Sequence, residues 1–242
     1  MVSPAKQIWK DFSSGKGGNV VAFLMEHEHF SYPEAIRFLA KRYNIDIEET
    51  EQTKEEKEKA NTIESLYLVN QYAQESFEKD LWENSEGIAL GLSYFRERGF
   101  KNETIRFFGL GYAVEKKDHF YQKAFKASYL IEYLVKTGLV IDKERGPVDR
   151  FRGRIIFPIR SMAGRVLGFG GRILSKTAKT AKYLNSPESE VYHKSRVLYG
   201  IYESKKAIAK EDVCYLVEGY TDVIQLFQNG IKNVVSSSGT AL

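Results

Sequence analysis

Two carboxylates near the end of the chain have the type and spacing that a divalent cation requires. Glu218 follows the short apolar run 213–217, and Asp222 lies four residues later. The run predicts a strand buried on both faces, so Glu218 would lie at the carboxyl end of a parallel sheet, where ligands of open α/β sheets gather. Asp222 would face the same space one helical turn on. Such a pair suits Mg²⁺ or Mn²⁺ bridged to phosphates, and capping of a helix is the alternative use of these acids.

A basic block precedes the two carboxylates. Between Arg145 and Lys210 there are 15 Lys and Arg residues against 4 Asp and Glu residues, although the net charge of the whole chain is only +4. Concentrated positive charge indicates a polyanionic partner, and a solvated basic face is the alternative. Gly170 and Gly171 in this block would either let the backbone approach a nucleotide strand closely or form a tight turn.

Composition excludes several classes of protein. The 242 residues are 43% hydrophobic, but no apolar run is long enough to span a bilayer and no apolar signal segment begins the chain. We therefore expect a cytoplasmic protein with no membrane partner. The single cysteine, Cys214, excludes an internal disulfide and a multi-cysteine zinc site, and we expect it to be packed inside its strand.

The predicted helices and strands that must position these residues are distributed unevenly along the chain. Ser31 is a candidate cap for a helix over 31–43, and the acidic segment 46–60 reads as a linker or as a solvated helical extension. Ala163 and Gly164 separate two β-rich runs and predict a hairpin. The remaining patterns predict helices at 62–81, 87–98, 102–107, 121–137, 197–209 and 220–229, and strands at 155–159, 166–169, 213–217 and 233–236. The fold class is thus an α+β part that leads into the start of an α/β unit.

Several ordered motifs resemble a known family. The segment 217–223, Val-Glu-Gly-Tyr-Thr-Asp-Val, resembles the first motif of a Toprim domain, the metal-binding module that primases share with topoisomerases. Upstream motifs resemble the catalytic core of bacterial replicative primases of the DnaG type, and the resemblance covers essentially the whole chain. These motifs lie at 149–152, 157–159, 168–172, 182–188, 193–194, 198–200 and 239–241.

The resemblance implies DNA-templated synthesis of short RNA primers by metal-dependent nucleotidyl transfer. It makes Glu218 and Asp222 catalytic and metal-binding. It places Arg152, Lys182 and Lys194 on the single-stranded DNA template or the incoming nucleoside triphosphate. Four further residues would belong to the same groove: Arg154, Arg172, Tyr183 and Asn185. A surface ion pair for Arg172 and core packing for Tyr183 are the alternatives.

Two departures from the family pattern shape the expected organisation. Residues 6–18 resemble half of the primase zinc ribbon, but Asp11 and Ser14 stand where the family has cysteines, so we predict no zinc. A second acidic motif, Asp-x-Asp, and a helicase-binding domain are expected beyond Leu242. We therefore expect a fragment that binds single-stranded DNA weakly and synthesises little alone. Its predicted parts are a zinc-ribbon remnant at 1–45, a linker at 46–60, a basic primase subdomain at 61–210 and a truncated Toprim start at 211–242.

Two other functions remain open at this point. The chain could be a non-catalytic module that binds single-stranded nucleic acid, or the primase part of a mobile-element primase–helicase. A helicase P-loop would mark the second, and none occurs in these residues. A topoisomerase is disfavoured because the basic block has no evident role there.

Overall fold

The computed structural model describes residues 1–28, 30, 32–46, 54–174 and 181–237. The chain divides into two compact units, Met1–Lys54 and Glu55–Leu242. Ser31, the predicted helix cap, and the terminal motif 239–241 lie outside the described residues.

The N-terminal unit is a small antiparallel sheet followed by two helices. Its strands are β1 (Val2–Ser3), β2 (Ile8–Lys10) and β3 (Gly17–Gly18), and its helices are α1 (Val20–His27) and α2 (Tyr32–Tyr43). The Asn19 side chain caps α1 by accepting from the backbone N–H of Ala22 at 2.9 Å. The Trp9 and Phe23 rings meet edge to face at a centroid distance of 5.5 Å, which joins the sheet to α1.

The second unit begins with helices. The helix α3 (Lys54–Glu83) starts inside the segment predicted as a linker, so residues 54–60 follow the alternative interpretation, a solvated helical extension. A π-helix (Gly87–Leu92) runs directly into α4 (Ser93–Glu97), where the sequence predicts one continuous α-helix. The later helices of this half are α5 (Asn102–Phe107), α6 (His119–Lys126) and α7 (Ile131–Lys136).

Three sheets follow or accompany these helices. One is an antiparallel sheet in the order β4 (Gly111–Ala113), β7 (Arg154–Arg160), β8 (Val166–Ile173) and β9 (Tyr183–Asn185), and β5 (Val140–Ile141) pairs with β6 (Val148–Asp149). The third sheet has the order β10 (Leu198–Tyr199), β12 (Val234–Ser237) and β11 (Tyr215–Val217). The helix α8 (Ile201–Glu211) joins β10 to β11, and α9 (Tyr220–Gln228) crosses from β11 to its parallel neighbour β12.

Strand β7 is buried on both faces and divides the core. Ile155, Phe157 and Ile159 join one hydrophobic cluster, whereas Ile156 joins the other, because successive side chains of a strand point to opposite faces. The first cluster also contains Tyr220, Val223 and Val234 from α9 and β12. The two larger sheets therefore share one core, and the predicted boundary near residue 210 does not separate compact units.

The strand before Glu218 corrects two predictions. Among the described residues β11 pairs on one side only, with β12, and Tyr215 and Leu216 are 53% and 49% exposed. Cys214 is also exposed rather than packed. A uniform apolar run predicts a strand, but it does not show which neighbours cover its faces, and in the described part of the chain this run forms an edge of its sheet.

Two helix predictions are also corrected. The predicted helix 121–137 is two helices, α6 and α7, because the chain breaks at Ser128 with a left-handed φ of 64°. The predicted helix 197–209 instead begins at Ile201, since Leu198 and Tyr199 pair with β12 as β10. The predicted hairpin is confirmed: β7 and β8 pair antiparallel around Gly164, whose φ is 89°.

The buried carboxylate of Asp149 holds the N-terminus of α6. Its two oxygens accept from the backbone N–H groups of Phe120 at 2.7 Å and Tyr121 at 3.0 Å, and the side chain is 5% exposed. Burial raises the pKa of Asp149 to about 6, and the two backbone hydrogen bonds only partly oppose this rise. Asp149, on β6, thus caps α6, whereas the side chain of Asp118, at the N-cap position of α6 itself, does not.

We expect Asp149→Ala to lower the free energy of unfolding by about 2–4 kcal/mol, because two buried N–H groups lose their acceptor. The folded protein binds the Asp149 proton more tightly than the unfolded chain does. The stability supplied by this group is therefore greatest below about pH 4 and declines as the pH rises towards 6. Urea unfolding of wild type and variant should show a wider gap near pH 4 than near pH 7. An equal gap at both would contradict the assignment.

Candidate nucleic-acid and metal site

A pocket of about 420 Å³ opens between the edge of the antiparallel sheet and the start of α9. The residue after β11 and the first turn of α9 form one side, and β9 forms the other. The polar and aromatic residues of its lining that matter here are Tyr183, Asn185, Glu218, Tyr220 and Asp222. Glu218, Asp222, Tyr183 and Asn185 were singled out from the sequence, and the fold brings these four together.

Glu218 and Asp222 both line the pocket, but not through the helical spacing predicted for them. Glu218 lies just beyond the carboxyl end of β11 and before the helix, because Gly219 is extended, and Asp222 lies in the first turn of α9. Both side chains are exposed, and Asp222 Oδ2 accepts from the backbone N–H of Gly219 at 3.2 Å. Asp222 therefore caps its own helix, which was the alternative interpretation, while it also faces the pocket.

The donor set of the pocket fits a hard divalent cation. Among the described residues no group of three His, Cys, Asp or Glu side chains is placed to hold a metal ion. Two carboxylates nevertheless suffice for Mg²⁺, which keeps several waters and takes its other ligands from substrate phosphates. The arrangement could thus hold a cation against a phosphate chain.

Asn185 and Tyr220, two residues of the pocket lining, are hydrogen-bonded to each other. The Tyr220 hydroxyl donates to Asn185 Oδ1 at 3.1 Å, and its ring lies over Gly170, where a Cβ would come within 2.3 Å of it. At Gly171 a Cβ would likewise come within 2.6 Å of the Phe151 ring. The two glycines lie within β8 and not in a turn, and they admit aromatic rings of the protein itself. This is a third use beside the two weighed from the sequence.

The predicted cationic residues differ in exposure. Lys182 is exposed beside the half-exposed Tyr183 ring, with its ammonium group 6.0 Å from the ring centroid. Tyr183 is therefore a surface residue and not part of the core. Arg152 and Lys194 are partly exposed, and the Lys194 backbone N–H donates to Glu188 at 3.0 Å. This bond, with a smaller contribution from His193, lowers the pKa of Glu188.

Arg154 differs from the expected template contact. Its side chain is 4% exposed, and its guanidinium donates to the backbone carbonyls of Ala181 at 2.9 Å and Lys182 at 3.3 Å. A buried guanidinium is not presented to a phosphate. The geometry instead makes Arg154 an anchor that holds the backbone of Lys182 at the start of β9.

The structure also reveals a residue that the sequence reasoning missed. Tyr94 on α4 lies against Arg172: the guanidinium carbon of Arg172 is 4.8 Å from the Tyr94 ring centroid, and Nη1 of Arg172 donates to the Tyr94 hydroxyl. Arg172 is therefore held by aromatic rings, and among the described residues it forms no ion pair of the kind weighed as its alternative. The two residues are 78 positions apart, so no local pattern in the sequence links them.

The N-terminal unit does not fit a structural zinc ion. Both Asp11 oxygens are engaged: Oδ1 accepts from the Ser13 hydroxyl at 2.7 Å, and Oδ2 accepts from the Ser14 hydroxyl at 2.5 Å. These bonds hold the pKa of Asp11 well below its usual range, the bond to Ser14 contributing most. Structural zinc sites use four cysteine or histidine ligands, and positions 11 and 14 supply a carboxylate and a hydroxyl.

None of the helices in the described part of the chain has both the length and the apolar character needed to cross a membrane.

The protein has a mixed α/β fold in which paired carboxylates adjoin a basic strand edge, and comparison with known proteins specifies the family. The model of the DNA primase catalytic core, N-terminal domain, matches residues 76–205, and the CHC2 zinc finger model matches residues 1–55. The chain belongs to the family of DnaG-type bacterial primases.

Individual relatives agree with this assignment. The DNA primase of Clostridium acetobutylicum is 40% identical over 242 residues, which are 100% of this chain and 39% of that protein. The crystal structure of the Aquifex aeolicus primase, with zinc-binding and RNA polymerase domains, matches with a TM-score of 0.67 and 35% identity, covering 100% of this chain and 56% of that one. A DnaG primase catalytic domain bound to single-stranded DNA matches with a TM-score of 0.68 and 36% identity over 75% of this chain and 58% of that one. The chain thus spans about two fifths of the length of the curated relative.

Proposed function

We propose that this chain forms part of a DNA primase, which copies single-stranded DNA into short RNA primers by metal-dependent nucleotidyl transfer. The observation that carries the proposal is the convergence of Glu218 and Asp222 with Tyr183 and Asn185 around one pocket. Membership of the primase family supports it, and so does the structure of a related primase catalytic domain bound to single-stranded DNA. The non-catalytic binding module and the mobile-element fusion are less favoured, since the curated relatives are DNA primases.

The metal chemistry follows from the pocket. We propose that β11, α9 and β12 are the first β-α-β unit of a Toprim domain, supported by the parallel pairing of β11 with β12. Glu218 and Asp222 would hold Mg²⁺ or Mn²⁺, which when bound neutralises charge on the reacting phosphates. Glu218 would also be placed to accept a proton from the attacking 3′-hydroxyl of the primer.

The basic residues would bind the substrates. Lys182, Lys194 and Arg152 would neutralise phosphates of the template or of an incoming nucleoside triphosphate, and Tyr183 would stack on a base. Arg154 would act indirectly through the backbone of Lys182. Recruitment by a replicative helicase and action at replication forks follow from the same proposal.

The test is primer synthesis on single-stranded DNA with ribonucleoside triphosphates and Mg²⁺ or Mn²⁺, using the natural protein that carries this chain. Template-dependent RNA products support the proposal. Tight single-stranded DNA binding without any products would favour the binding module instead.

We further propose that the N-terminal unit holds its turn without zinc, through the Asp11 hydrogen bonds. Asp11→Ala should lower the melting temperature of the chain's first transition by a few degrees, because Ser13 and Ser14 lose their acceptor. A strong zinc chelator should leave wild-type melting unchanged. Asp46→Ala, at another exposed aspartate of the same unit, is the control. Chelator-induced unfolding would contradict the proposal.

A further inference from the structure

An aromatic and cationic cluster lies on α4 and the β8–β9 edge, beside the pocket. The guanidinium carbon of Arg172 lies 4.8 Å from the Tyr94 ring centroid and 5.6 Å from that of Tyr183. The guanidinium carbon of Arg98 lies 5.0 Å from the Tyr94 centroid. One tyrosine ring thus adjoins two cations, and one of these cations is shared with a second tyrosine.

Backbone pairing explains why Arg172 and Tyr183 meet. The two residues are directly opposite in the antiparallel pair β8–β9, so their side chains leave the same face of the sheet. Asn185 lies two residues beyond Tyr183 and lines the pocket with it. Tyr183 therefore belongs both to the pocket that contains Glu218 and to the cluster around Tyr94.

Among the described residues, the positive charge of this cluster has no anionic partner. Among the described residues neither Arg98 nor Arg172 forms an ion pair with a carboxylate, although the two share one ring. Two cations beside one ring make this place strongly positive, and a phosphate group would be attracted to it. Cation–π contact and the hydroxyl of Tyr94 hold the Arg172 guanidinium in place.

The π-helix before α4 is an independent sign of function at this place. It runs through Gly87–Leu92 and ends two residues before Tyr94, and its wider turns change the direction in which the following side chains point. Single π-helical turns inside α-helices are frequently found at functional sites. Gly91, within the π-helix, packs closely against Leu81, because a Cβ at this position would come within 2.6 Å of the Leu81 side chain.

We propose that Tyr94 is a positioning residue for polynucleotide binding. It orients Arg172, and with it Arg98, towards one phosphate of a single-stranded nucleic acid whose neighbouring base stacks on Tyr183. This inference rests on the proposed function and deepens it, because it extends the path of the strand from the Glu218 pocket to α4.

A double-mutant cycle tests the inference in the full chain. Binding of a labelled oligothymidylate is followed by fluorescence anisotropy over a series of salt concentrations. Tyr94→Leu should weaken binding about fivefold and reduce the salt slope by about one, since Arg172 no longer holds its phosphate. Tyr94→Phe keeps the ring and should stay within about twofold of wild type. In an Arg98→Gln/Arg172→Gln background, where both arginines that Tyr94 would orient are neutral, Tyr94→Leu should change the affinity by less than about twofold, because coupled residues are not additive.

The controls separate the possible outcomes. Tyr133→Leu removes another half-buried tyrosine with a cation–π contact, to Lys136, and should leave binding unchanged. An equal loss from Tyr94→Leu in both backgrounds would assign Tyr94 to folding alone and overturn the inference. The inference is also overturned if Tyr94→Leu keeps the wild-type affinity and salt slope. In that case, a loss of binding in the Lys182→Ala/Lys194→Ala variant would leave the proposed function standing. Absence of salt-dependent binding by wild type would overturn both.

Discussion

Replacing Glu218 by glutamine is expected to lower primer synthesis by about a thousandfold or more, because the pocket loses a charged oxygen ligand and the group placed to accept a proton. The substitution keeps the size of the side chain, which is exposed just after β11, so the fold should not change. The measurement is the initial rate of ribonucleotide incorporation on single-stranded DNA in the natural protein that carries this chain.

Two controls make the Glu218→Gln result specific. Glu211→Gln neutralises another exposed glutamate, at the end of α8, and should keep wild-type activity. Binding of single-stranded DNA by Glu218→Gln should stay within about twofold of wild type or become slightly tighter, because removing a negative charge does not weaken phosphate binding. Near-normal synthesis by Glu218→Gln would remove Glu218 from the catalytic site and leave Asp222 as a helix cap alone.

The Lys182→Ala/Lys194→Ala double variant is expected to bind single-stranded DNA about ten to thirty times more weakly at low salt. Each lysine that contacts a phosphate releases counterions, so the slope of log affinity against log salt should become shallower by about one to two. Fluorescence anisotropy with the full chain measures both quantities. The slope separates a lost phosphate contact from a general loss of folded protein, which would leave the slope of the remaining binding unchanged.

The matched control for this pair is Lys206→Ala/Lys210→Ala, two exposed lysines on α8. It removes the same charge from the same basic block, but neither residue lies on the β8–β9 edge. Wild-type affinity in the control and a loss in the test variant would place the template beside Lys182 and Lys194. An equal and small effect of both would mean that the block acts only through its overall charge.

Local sequence patterns were sufficient for the helices and strands whose periodicity is undisturbed. The hairpin around Gly164, the helix Asn102–Phe107 and the succession of β11, α9 and β12 follow from short-range signals. The break at Ser128 was missed because one left-handed residue interrupts an otherwise helical pattern. The π-helix was missed because its sequence has the same apolar spacing that an α-helix would show.

Some features of the candidate site likewise follow from the sequence, and others depend on the tertiary structure. The sequence by itself determined that Glu218 follows a strand and that Asp222 lies in the first turn of the next helix, since both depend on short-range signals. Only the tertiary structure decided that Arg154 is buried against backbone carbonyls, that β11 is an exposed edge strand within the described residues and that Tyr94 holds Arg172. These features depend on which distant segments meet, and the pairing of residues 78 positions apart is determined by the packing of the whole core and not by any local pattern.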